Sequence, residues 1–180
     1  MTTLGTMKHL VCLSILALAI IPAGCATYSK EECSSGDWDK IGRQDGADGR
    51  SPDKFDLHVK ACKLDGSGDN RNAYMAGREK GLASYCTDAR GYREGALGQQ
   101  YLGTCPPALE PQFKKGYTLG RKIYAAESRQ SDLSDAIRAA SDPAQQARLE
   151  AENAKLKKDI EALRAQGDAL ILAARKKGKN

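Results

Sequence analysis

Three hydrophobic patterns follow one another along the chain. Leu10 to Ile21 form an apolar run behind Lys8 and His9. The run is shorter than the ~20 residues needed to cross a bilayer, and its length and positive flank fit a signal-peptide core. The second pattern is a weak repeat in which an aromatic residue precedes two glycines. Trp38 precedes Gly42 and Gly46, Tyr74 precedes Gly77 and Gly81, Tyr92 precedes Gly95 and Gly98, and Phe113 precedes Gly116 and Gly120. On a helix such positions share one face. The third is a heptad, with Leu149, Leu156, Leu163 and Leu170 at one core position and Asn153, Ile160 and Gly167 at the other. No segment sustains apolar–polar alternation, so the chain is predicted to be all-α, with essentially no sheet.

Glycine inside a helix costs ~1 kcal/mol relative to alanine. Its repeated use predicts notches where another helix or a ring lies against bare backbone. Charged flanks exclude membrane-spanning helices. Ser51-Pro52 is a helix start, and the helix that follows carries Phe55, Val59 and Cys62 on one stripe. The segment from Asp65 to Asn70 is a break rich in turn residues. Glu110-Pro111 opens a helix expected to stop near Ala140. Asp142-Pro143, with Gln145 completing a capping box, opens the next, which runs to about Lys176.

This last helix, residues 143–176, is a candidate coiled coil with Leu149, Asn153, Leu156, Ile160, Leu163 and Leu170 as its core. Leu and Ile at these positions suit a parallel homodimer, in which Glu152 would meet Lys157 and Asp159 would meet Arg164 of a second copy. Gly167 reads as a flaw in the last turn. The alternative is a helix folded back on its predecessor. Extended, it would be ~50 Å long and would hold the Lys-rich end away from the rest of the protein.

Composition changes the picture next. With two Phe and one Trp, the core is thin, and a thin core needs staples. Of six cysteines, Cys25 follows Ile20-Ile21-Pro22-Ala23-Gly24, a stretch that ends in small residues as a bacterial lipoprotein signal does. Pro22 departs from the usual Leu, and Met7 is a tighter start than Met1. Cleavage before Cys25 removes residues 1–24 and leaves a lipidated cysteine, held by ~0.8 kcal/mol per buried CH₂ of palmitate or similar chains. Ala26, in place of Asp, favours the outer membrane with the protein facing the periplasm. Cys33, Cys62, Cys86 and Cys105 then read as two disulfides in an oxidising compartment. Three pairings exist, and Cys33–Cys62 with Cys86–Cys105 is favoured because each closes a local helical hairpin, at ~3 kcal/mol per loop. Zinc is the competing reading, but no C-x-x-C occurs and His58 is the only histidine after the signal. The expected organisation is a disulfide-stapled helical domain over residues 25–124 and a helical stem over 125–180.

Several residues in this region resemble a known family. Cys25-Ala26-Thr27, Ser29 to Cys33, Gly36-Asp37-Trp38, Ile41-Gly42 and Asp45-Gly46 match its opening. Ala73 to Glu79, Gly81-Leu82, Tyr85-Cys86, Gly91-Tyr92, Gly103, Cys105-Pro106, Gly116-Tyr117 and Gly120-Arg121 continue the similarity. Over about residues 25–124 the chain resembles a family of uncharacterised bacterial lipoproteins catalogued as a domain of unknown function. The resemblance implies location and build, and no activity.

Catalytic signals are thin. His58 has no nearby serine motif and reads as a surface or partly buried structural residue. Asp65, Ser67 and Asp69 imitate a calcium loop, but Asn70 and Ala76 stand where Gly and Glu are required. Gly66-Ser67-Gly68 lacks the third glycine of a dinucleotide site. Asp45, Asp48 and Asp53 are a candidate cation site, with scattered, solvated acids as the plainer reading. Arg43, Arg78 and Arg121 follow notch glycines and are a candidate contact for an anion or partner, with pairing to local acids such as Glu79 and Asp45 as the plainer reading. Net charge is +5, too mild to argue for nucleic acid. No cofactor, metal or enzyme is expected. The expected function is a non-enzymatic envelope lipoprotein, either structural and touching the cell wall or an accessory subunit that docks a partner helix through its stem.

Overall fold

The protein, as a computed structural model, is described over residues 36–63, 66 and 68–177. It is all-helical in these residues. The helices are α1 (Trp38–Ala47), α2 (Lys54–Cys62), α3 (Gly68–Tyr85), α4 (Asp88–Ala96), α5 (Glu110–Ala139) and α6 (Pro143–Lys177). None is long and apolar enough to cross a membrane. The signal, Cys25 and Cys33 lie outside the described residues.

Local chemistry sets the boundaries. Asp37 accepts a hydrogen bond from the Lys40 N–H to cap α1, and Thr87 accepts from Arg90 N–H to cap α4. Asp142 accepts from the backbone N–H groups of Ala144 and Gln145 and starts α6. The helix after Ser51-Pro52 begins at Lys54, since Ser51 and Pro52 form a turn closed by Lys54 N–H to the Ser51 carbonyl.

The glycines explain the packing. Gly42 and Gly46 lie against the backbone of Tyr74 and Arg78, and Gly77 and Gly81 against Asp39 and Arg43. A Cβ at any of them would overlap a carbonyl oxygen of the facing helix. The residue order shows that α1 and α3 run parallel, joined by the crossover helix α2. α4 and α5 repeat this geometry: Gly91 and Gly95 meet Phe113 and Tyr117, while Gly116 and Gly120 meet Asp88 and Tyr92. The four aromatic–glycine units of the sequence are therefore two copies of one parallel helix pair. The third unit is corrected in detail. Its notches are Gly91 and Gly95, while Gly98 is a turn residue at φ +72°, matched by Gly49 at +71° in the first copy. Each of these turns carries a tyrosine ring, Tyr85 on Gly49 and Tyr124 on Gly98.

Each pair has its own core. Trp38, Ile41, Phe55 and Tyr74 fill the first, with Trp38 and Phe55 ring centroids 4.8 Å apart. Leu82, Cys86, Cys105 and Phe113 fill the second, backed by Tyr85, Tyr101 and Tyr117. Tyr101 and Phe113 centroids are 4.7 Å apart.

α5 continues unbroken through residue 124 and turns back at Ala140, so the notched domain and the stem share one helix. α6 runs antiparallel along α5, and the heptad seam faces this partner within the chain. Ile160 and Gly167 are buried, and Leu149, Asn153, Leu156, Leu163 and Leu170 are partly buried. The Lys-rich end consequently does not reach away from the domain. Ala173, Ala174 and Lys177 lie beside Thr87 and Asp88 at the start of α4. Within the chain Glu152 pairs with Arg129 at 2.9 Å and Arg164 with Glu127 at 2.7 Å. Gly167 is no flaw: the ring of Tyr92 occupies the space its side chain would need.

Candidate functional site

Cys86 and Cys105 form a disulfide with a Cα–Cα distance of 5.7 Å. It ties the turn between α3 and α4 to the loop before α5. Cys62 is also disulfide-bonded, and its partner falls outside the described residues.

The three repeat arginines have three different partners. Arg43 pairs with Asp39 at 2.6 Å. Asp39 also holds Lys80 at 2.6 Å, and Lys80 and then Arg43 keep its carboxyl below the usual range. Arg78 donates from Nε and a terminal nitrogen to the Arg50 carbonyl, at 3.0 and 2.7 Å. Arg121 lies over the Tyr124 ring, 4.9 Å from its centroid. No contact joins the three groups. None of the three pairs with Glu79 or Asp45: Arg43 takes Asp39 one turn earlier on its own helix, and Arg78 and Arg121 take a carbonyl and a ring.

Beneath Arg50 lies the polar centre of the molecule. His58 Nε2 is 2.6 Å from Asp45 Oδ2, and the Tyr74 hydroxyl donates to the same oxygen at 2.8 Å. Arg50 Nε approaches the other oxygen at 3.5 Å. His58 is 1% exposed, Asp45 3% and Tyr74 0%. Both sequence expectations here are corrected. His58 is neither a surface nor a partly buried residue, and Asp45 is not solvated. The signal was present: Asp45 falls four residues after Ile41 and three after Gly42, on the stripe that turns inward. Asp48 and Asp53 stay exposed. Among the described residues no group of acids, histidines and cysteines is placed to hold a metal.

The Asp45–His58–Tyr74 set has the residue types of acid–base chemistry but no access for a substrate. The His58 and Tyr74 ring centroids stand 5.9 Å apart, edge to face, inside the aromatic core. Its chemistry is that of a buried carboxylate on α1, hydrogen-bonded to α2 and α3 and faced by the Arg50 guanidinium, so that it joins three elements. Such a group fixes the arrangement of those elements, because a buried carboxylate without its partners is strongly unfavourable.

At the second pair the equivalent interior is apolar, and the polar group that stands out is Tyr92. It projects from α4 onto α6. Burial, reinforced by the nearby Asp168 carboxylate, pushes its phenol above the ordinary range.

These features define a class: an all-helical, disulfide-stapled domain built from two parallel pairs of glycine-notched helices. Residues 37–122 match a family described as "Protein of unknown function (DUF2799)". The match begins at the α1 cap and ends within α5, so it takes in both notched pairs and excludes α6. No curated protein and no solved structure matches the chain.

Proposed function

We propose that this protein is a lipid-anchored component of a bacterial cell envelope with a structural or interaction role and no catalytic one. Cys25 is its acylation site, and the notched domain faces the periplasm from the outer membrane. The observation that carries this reading is the pair of disulfide-bonded positions, Cys86–Cys105 and Cys62. Such bonds persist in an oxidising compartment, which is where the lipoprotein-type leader would deliver the chain. The burial of His58, the histidine of the notched domain, supports a non-enzymatic role. Docking a partner helix in the heptad seam would require α6 to leave α5, so contact with the wall or a partner through the outer surface is the better reading.

The test is the intact mass of the protein extracted from membranes in detergent, before and after reduction. A chain starting at Cys25 with acyl groups, gaining four hydrogens on reduction, is the expected result. An unlipidated mass that retains residues 1–24, or free thiols throughout, would sink the proposal.

A further inference from the structure

We infer that the junction of α4 and α6 is a binding site for a phosphate group. A cleft of about 450 Å³ opens there, lined by Ser84, Thr87, Arg90, Arg93, Ile171 and Arg175. It does not depend on the lipid anchor and uses none of the three repeat arginines.

Four contacts between helices bring opposite signs together: Lys80 to Asp39 between α3 and α1, Arg71 to Asp56 between α3 and α2, and Arg129 to Glu152 and Arg164 to Glu127 between α5 and α6. At the α4–α6 face the fold instead brings Arg175 to the cleft that holds Arg90 and Arg93. Neither Arg93 nor Arg175 has an acidic partner among the described residues, and both are exposed. Like charges that share a cleft repel one another through solvent, and an anion between them relieves that repulsion.

The local acids do not fill that role. Glu94 pairs with Arg90 along α4 at 2.7 Å, and the Asp88 carboxylate accepts from the Ala89 N–H at 2.9 Å. The Glu94 contact, together with the Tyr85 ring 5.2 Å from the Arg90 guanidinium carbon, fixes the Arg90 side chain and leaves further N–H donors for a ligand. Thr87 Oγ1 accepts the Arg90 N–H at 3.1 Å, and its own hydroxyl proton remains available. Ser84 is already committed, donating to the Gly81 carbonyl at 2.8 Å. Lys177 borders the adjoining hollow, which shares Thr87 and Ala174 with the cleft.

Forked guanidinium donors match phosphate geometry. With Arg90 offset by Glu94, the unpaired guanidinium groups of Arg93 and Arg175 still match the nearly dianionic charge of a phosphate monoester better than the single charge of a carboxylate. Ile171 and Ala174 offer an apolar wall to whatever carries the phosphate.

The test is calorimetric titration of the full chain in neutral detergent, with inorganic phosphate in one arm and detergent micelles carrying phosphatidic acid in the other. Saturable one-to-one binding in at least one arm is expected, weakened tenfold or more by the Arg93→Gln/Arg175→Gln double variant. Tighter binding of the micelle-borne phosphate assigns a lipid headgroup; equal affinity in both arms assigns a free or soluble phosphate. Lys115→Gln/Lys122→Gln, which removes the same charge from a separate groove between α5 and α6, should bind as the parent does. Both variants alter exposed side chains, and unchanged melting verifies their folds. No saturable binding in either arm, or an equal loss in the lysine variant, would overturn the inference.

Discussion

The two parallel helix pairs share a backbone design and differ inside. In both, glycines sit against facing carbonyls, a left-handed glycine ends the first helix, and a tyrosine ring covers that glycine. In both, the carbonyl one residue past that glycine accepts a side-chain hydrogen bond: Arg50 from Arg78, Gln99 from the Tyr117 hydroxyl at 2.8 Å. The first pair then buries a carboxylate, an imidazole and a phenol. The second buries a disulfide beside stacked aromatics and turns Tyr92 outward to receive α6. Close backbone contact is thus the shared requirement, and each interior is free to solve its own packing. Glycine fixes the distance between helices, and the side chains around it decide what the pair can bind next.

The largest effect is expected at the shared feature. Gly42→Val in the first pair and Gly91→Val in the second place methyl groups on backbone oxygens that cannot swing aside. Each should cost at least ~4 kcal/mol, read as loss of the cooperative urea transition by circular dichroism. If either variant melts like the parent, the close approach is not what holds that pair.

The interiors separate the pairs. Asp45→Ala or His58→Ala leaves a buried polar group unpartnered and should cost ~3–5 kcal/mol. Glu94 occupies the place of Asp45 in the second pair, yet its ion pair with Arg90 lies near the surface, so Glu94→Ala should cost under ~1 kcal/mol. Equal losses at the two positions would remove the contrast.

The docking of α6 gives a smaller effect with a built-in rescue. Gly167→Leu displaces the Tyr92 ring and should cost ~1–3 kcal/mol by overpacking. Adding Tyr92→Ala should restore much of that loss, since the leucine then fills the vacated space. A double variant no better than the single one would show that Tyr92 is not the ring α6 packs upon.

The smallest test compares the two carbonyl caps. Arg78→Met and Tyr117→Phe each remove one side-chain cap and should cost ~1 kcal/mol, seen as matched shifts in the urea midpoint. A marked inequality would mean that one cap does more than satisfy its carbonyl.

Much of the architecture was legible in the residues themselves. Spacing announced helices without sheet, and Asp142-Pro143 announced the break before α6. The glycine repeat announced close packing, although aromatic–glycine spacing starts the third unit at Tyr92 and so leaves Gly91 outside it. Those signals are local: caps, turns and periodicity act within a few residues of chain. The leader and the acylation at Cys25 that we propose rest likewise on contiguous residues. What only the tertiary structure decided was which surface meets which. The heptad specified an apolar stripe but not its partner, and the short turn at Ala140 and Ser141 gave α6 a neighbour in its own chain. Asp45 and His58, separated in sequence by the turn that starts α2, became one buried pair only when α1 and α2 closed on Tyr74. Arg93 and Arg175 stand far apart in the sequence, and no local pattern links them. They line one cleft because the fit of Tyr92 against Gly167 sets where α6 lies.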